Sequence, residues 1–119
     1  IVGVNIAALS EALVLAAKSG VNPENVYQAI RGGLAGSTVM DAKAPMMLDR
    51  NFDPGFRIEL HIKDLTNAEN ASRAVGMELP MTEQVLVMMK KLQEEGMGKC
   101  DHSALLRYYE EKENIEVKR

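Results

Sequence analysis

Residue types able to do chemistry are few in this chain, and they fall in three short stretches. In FRIELHIKDLTNAENASRAVG, residues 56–76, Lys63 and Asp64 sit side by side among apolar neighbours, seven residues after Phe56. A lysine held among apolar side chains and beside a carboxylate could form a charged site, although a mid-helix Lys-Asp pair is more often a solvated face. CDHSA, residues 100–104, places Cys, Asp, His and Ser next to each other. These are triad residue types, but triads are assembled from residues apart in the chain and held by a fold. Asp101 reads better as a helix N-cap. RGGLAGST, residues 31–38, looks like a phosphate cradle but lacks the Gly-Lys-Ser/Thr ending and the preceding strand. It reads as the end of one helix and the cap of the next. His61 and His102 are too few and too isolated in sequence to suggest a metal centre.

The elements that must position these residues are helices. Residues 1–19 form the first, with Gly20 where a left-handed residue ends a helix. Asn22-Pro23 is an N-cap followed by a first-turn proline, opening a helix over about 23–31. Ser37 caps a third over about 38–44, with Pro45 interrupting it or starting a new turn. DRNFDPGF, residues 49–56, is a loop. A helix from Pro80 to about Glu95 and a last one over about 102–113 follow, and the charged tail EKENIEVKR frays or docks loosely.

The stretch 56–76 admits two readings. Phe56, Ile58, Leu60 and Ile62 alternate with polar residues, as in a half-buried strand. Yet residues 56–75 run without Gly or Pro, and a strand rarely exceeds about ten residues. Glu59 and Lys63 are spaced as a helical ion pair, and Ile58, Ile62, Leu65 and Ala68 make a helical stripe. The spacing predicts a helix ending at Gly76, with Phe56, Leu60, Lys63 and Asn67 on one face. The expected fold is all-α, about six helices over residues 1–119, with no sheet.

The totals set outer bounds. A chain of 119 residues suggests one domain, and four per cent aromatics with eight Met favours helix over sheet. The net charge of −3 argues against nucleic acid or a membrane surface as the main partner. Cys100 stands alone, so no disulfide framework is expected, and a reducing, cytoplasmic setting is the simplest reading. The first helix begins at full stride without Met or cap, as if cut from a longer helix. Met88, Met89, Leu86 and the first helix are expected to expose apolar surface and drive self-association. From motifs alone, a helical interaction or dimerisation module is the default reading.

The chain also resembles a known family. SEAL followed by KSGVNP, then GGLAGS, then the spaced pattern of Phe56, Leu60, Lys63-Asp64-Leu65 and Ala68, together look like the C-terminal domain of the β-hydroxyacid dehydrogenases. The likeness runs through DHSALLRYYEE to the end of the chain. It implies a helical domain like that of 6-phosphogluconate dehydrogenase, preceded in the whole enzyme by a Rossmann domain that binds NAD or NADP, with the active site in the cleft between them. It implies reduction of tartronate semialdehyde (2-hydroxy-3-oxopropanoate) to D-glycerate, with 3-hydroxyisobutyrate an alternative substrate. The family's catalytic lysine would lie upstream of Ile1, so no catalytic residue is assigned within the chain. Lys63 is implied to reach the cofactor, and Phe56 and Asp64 to line the cleft. The own N-terminal domain and further copies in a homo-oligomer are the implied protein partners.

Overall fold

A computed structural model describes residues 1–119. It contains six α-helices: α1 (Val2–Lys18), α2 (Pro23–Ile30), α3 (Thr38–Leu48), α4 (Ile58–Ala74), α5 (Pro80–Leu92) and α6 (Leu106–Glu113). A wide π-type turn over Gln93–Met97 closes α5, and a 3₁₀ turn over His102–Leu105 leads into α6. The only β-type pairing is a single bridge between Arg57 and Asp101. The all-α expectation holds, and no helix is long and apolar enough to cross a membrane.

α1 is the spine. It packs against α2, α3, α5, α6 and the 3₁₀ turn. Ile6, Leu9 and Leu13 are buried along it, together with Ser10, whose hydroxyl donates to Ile6 O at 2.7 Å and so goes underground already satisfied. The expected stop signals operate: Gly20 and Gly76 adopt φ of 74° and 71°, a region that costs a side chain but not glycine. The Asn22 side chain accepts from Asn25 N, and the Ser37 hydroxyl accepts from Met40 N, as caps should.

Four expectations need correction. α3 runs through Pro45 to Leu48 rather than ending near residue 44. Proline forfeits one helical hydrogen bond, but Ala44, Met47 and Leu48 are buried beyond and around it, and that burial outweighs the loss. α4 begins at Ile58, so Phe56 and Arg57 precede it, Phe56 in a bend and Arg57 extended. The first-turn N–H groups of Ile58 and Glu59 donate to Cys100 O and Gly98 O, which replaces a side-chain cap. Leu86 and Met89 are core residues at 3% and 0% exposure, so they do not form the apolar surface. Met88 is half-buried, the first helix does expose Val2 and Leu15, and further apolar surface lies at Met77, Met81 and Val87.

The fourth correction is the tail. Val117 is fully buried, its N–H donates to Glu110 Oε1 at 2.7 Å, and its carbonyl accepts from Arg50 at 2.8 Å. Arg50 also grips the buried Glu110 carboxylate with two N–H groups, at 2.7 and 3.2 Å. The tail is thus fastened by two charged residues outside it, Arg50 and Glu110, rather than fraying or docking loosely. Glu110→Gln keeps the shape but removes the charge, and is expected to cost about 2 kcal/mol. Hydrogen exchange at Val117 N–H should accelerate with it. Protection unchanged from wild type would show that the apolar contact of Val117 holds the tail alone.

Candidate functional site

α4 presents two faces. Ile58 and His61 point inward and are buried, while Ile62 and Leu65 are half-buried beside them. Lys63 and Asp64 point out, their side chains 64% and 49% exposed and paired at 3.2 Å. The structure brings these two residues together. Phe56 is not on their helix; it lies half-buried in the lead-in, its ring directed at two histidines.

Those histidines are the feature that sequence reasoning missed. His61 on α4 and His102 on the 3₁₀ turn, separated by 41 residues, meet with their Nδ1 atoms 2.9 Å apart. Phe56 packs on both, with ring centroids at 5.7 and 5.4 Å. Both histidines are buried. Burial pushes the pKa of each down, more than Asp64 raises that of His61, and with Lys43 nearby that of His102 falls to about 4.

Asp101 anchors the same corner. It is fully buried and does cap the following turn, accepting from Ser103 N at 2.9 Å. It does more than cap. It also accepts from Gly55 N and Phe56 N at 3.0 and 2.9 Å, and from Lys43 Nζ, which lies 3.0 Å from each of its oxygens. Burial alone would raise its pKa; the N–H groups of Phe56 and Ser103 and the Lys43 ammonium overcome that and hold it at about 2. No sequence pattern links Lys43 to a residue 58 positions away.

These two shifts make acid stability a direct readout. His102 has a folded pKa of about 4 against an ordinary 6.5, so the unfolded chain takes up the proton first. Stability is therefore full above about pH 6.5 and declines toward pH 4, by on the order of 3 kcal/mol. Asp101 contributes stability present above pH 3.8 and lost as pH falls through about 2. Denaturant titrations from pH 7 to pH 2 should show both stages. A flat profile between pH 6.5 and 4 would contradict a buried neutral His102.

RGGLAGST closes the turn between α2 and α3. A Cβ on Gly36 would stand 2.0 Å from Arg31 O, so this backbone packs on itself. Arg31 and Tyr27 both reach Asp41, at 3.0 and 3.1 Å. An apolar cavity of about 450 Å³ lies elsewhere, between the start of α1 and the α4–α5 connection, lined by Val4, Ala8, Met77, Leu79 and Met81. It shares no residue with the Lys63 site.

Comparison with known proteins decides what kind of domain carries this corner. The family described as "NAD-binding of NADP-dependent 3-hydroxyisobutyrate dehydrogenase" matches residues 1–109. The chain belongs to this family. Within the 3-hydroxyisobutyrate dehydrogenase family it is 40% identical to 2-hydroxy-3-oxopropionate reductase of Escherichia coli K12, over 92% of this chain and 38% of that protein. It is 32% identical to 2-(hydroxymethyl)glutarate dehydrogenase of Eubacterium barkeri, over 98% of this chain and 39% of that one. Among solved structures, 3-hydroxyisobutyrate dehydrogenase from Salmonella typhimurium matches with a TM-score of 0.84 at 27% identity, covering 89% of this chain and 37% of that chain. The chain thus spans less than two fifths of the length of these relatives.

Proposed function

We propose that this chain is the C-terminal, cleft-forming domain of an NAD(P)-dependent reductase that converts tartronate semialdehyde to D-glycerate. The observation that carries the reading is the 40% identity to a 2-hydroxy-3-oxopropionate reductase over nearly the whole chain. In this reading a Rossmann domain precedes residue 1 in the whole enzyme, and the enzyme works in the cytoplasm as a homo-oligomer. The dinucleotide, NAD or NADP, supplies the hydride when bound.

The residues present suit that partner. Lys63 is exposed on α4 and its one ion pair is with its neighbour Asp64, so ammonium donors are left for an oxygen of a bound molecule. Lys63 would hold the cofactor by charge and hydrogen bond. Asp64 would restrain the lysine side chain, and Phe56 would form apolar cleft wall. The proton for the developing alkoxide would come from a lysine outside this chain, so Lys63 positions rather than protonates.

The test is turnover. The whole enzyme containing this chain should oxidise NADH or NADPH with tartronate semialdehyde, and should prefer that substrate to the 3-hydroxyisobutyrate couple. Residues 1–119 alone should show no turnover. Reductase activity from the isolated chain would refute the division of labour. A whole enzyme that favours 3-hydroxyisobutyrate would move the substrate and leave the architecture. A second reading, a stand-alone helical oligomerisation module, draws on the exposed apolar cavity wall at Met77 and Met81. Whole-enzyme turnover would end it.

A further inference from the structure

We propose that His61 and His102 act as one tautomer-locked pair that positions the Phe56 ring, a role that rests on the reading of Phe56 as cleft wall. The argument begins with the contact itself. Two Nδ1 atoms 2.9 Å apart can share a hydrogen bond only if one carries a proton and the other a lone pair. The two imidazoles must therefore be opposite tautomers, one protonated on Nδ1 and the other on Nε2. Turning either ring over puts a carbon where the hydrogen bond was, so neither ring can flip independently.

The pair faces Phe56. Its ring sits 5.7 Å from His61 at an interplanar angle of 74° and 5.4 Å from His102 at 57°, while the two imidazoles are 5.0 Å apart. The result is a closed three-ring cluster in which Phe56 meets His61 edge-to-face and the other two pairs are tilted. The Phe56 backbone is clamped by the same segment: its N–H donates to Asp101 at 2.9 Å, and its carbonyl accepts from His102 N at 2.8 Å. Phe56 is therefore fixed at backbone and ring although it belongs to no helix. Its remaining half-exposed surface is what a cleft would use.

Two apolar side chains at 61 and 102 could fill the same space. Burying a polar pair is not cheaper than that; what the pair adds is a fixed orientation. The charged groups facing it are Lys43 from α3, Asp101 beside His102 and Asp64 from α4. Gly3 of α1 and Val85 of α5 close the remaining sides without charge: a Cβ on Gly3 would lie 3.3 Å from both His61 Nε2 and Val85.

The experiment compares five variants of the whole enzyme: Phe56→Ala, His61→Leu, His102→Phe, the His61→Leu/His102→Phe double, and His102→Asn. If the pair positions Phe56, each apolar replacement should lower kcat/KM about five- to twentyfold, mostly through KM, with the melting temperature kept. The double should be little worse than either single, because either change removes the one hydrogen bond. His102→Asn can still donate or accept and should recover to within about twofold of wild type. Wild-type kcat/KM in the double variant, with Phe56→Ala impaired, would overturn the pair and leave the cleft reading standing. Wild-type kinetics in Phe56→Ala would overturn both. Imidazole ¹⁵N spectra of the wild-type chain at pH 7 give a readout free of any variant: opposite tautomers are expected, and identical tautomers would overturn the proposal.

Discussion

Asp101→Ala is expected to cost about 3–5 kcal/mol, the largest stability loss of any single substitution considered for this chain. The carboxylate is fully buried and partners Lys43 and the backbone N–H groups of Gly55, Phe56 and Ser103. Removing it strands a lysine whose side chain is only 14% exposed, together with N–H groups that have no other acceptor. Against a typical domain stability of 5–15 kcal/mol, that leaves a marginal fold. Asp101→Asn should cost less, because an amide oxygen still accepts from one or two of the N–H groups. Lys43→Met should be milder again, since the carboxylate keeps its backbone donors. Urea denaturation at pH 7 on the three variants would check the order. Asp101→Ala within about 1 kcal/mol of wild type would show that water replaces the carboxylate and that the corner is less closed than its burial indicates.

The consequence reaches past stability, because Asp101 ties three parts of the chain that sequence keeps apart. α3 contributes Lys43, the lead-in to α4 contributes Gly55 and Phe56, and the C-terminal turn contributes Ser103. Loosening this knot frees Phe56 and the start of α4 together. A variant that folds but has lost the knot should therefore lose substrate affinity before it loses α-helix content.

What the sequence revealed and what it hid divide along physical lines. Caps, left-handed glycines and helical stripes are local, and Asn22, Ser37, Gly20 and Gly76 do what their types demand. The strand-like start of this stretch has one counterpart in the structure: Arg57 is extended and bridges to Asp101 just before the helix begins. The length of the unbroken run pulled the helix start two residues too early. Pro45 misled for the opposite reason, since a local penalty was outweighed by burial that only the tertiary fold supplies. The histidine pair and the Lys43–Asp101 ion pair join residues 41 and 58 positions apart, and nothing in residue type or spacing announces either. The docking of the tail EKENIEVKR is hidden for the same reason, because Arg50 and Glu110 lie outside it and only the fold brings them to the backbone of Val117. Lys63 and Asp64 stand out in the sequence, but the role proposed for them rests on the family resemblance, because an exposed lysine carries no local mark of a ligand.

Lys63→Ala separates the solvated-face reading from the cofactor reading by setting stability against kinetics. Its side chain is 64% exposed and its ion pair with Asp64 lies in open solvent, so the substitution should change stability by less than about 0.5 kcal/mol. If α4 only decorates the surface, kinetics of the whole enzyme should be equally unmoved. If Lys63 meets the dinucleotide across a cleft, closing that cleft strips water from the ammonium and makes its hydrogen bond count. A charge-assisted hydrogen bond there is worth roughly 1.5–3 kcal/mol, which corresponds to about a ten- to hundredfold loss in kcat/KM. Part of the loss should appear as weaker NADH or NADPH binding, measurable by fluorescence titration apart from turnover. Asp64→Ala should resemble a weaker form of the same defect, because it frees the lysine rather than removing it. Phe56→Ala should differ in kind, shifting substrate KM more than cofactor affinity. Wild-type cofactor binding and kcat/KM in Lys63→Ala, with stability also unchanged, would return this face of α4 to solvent.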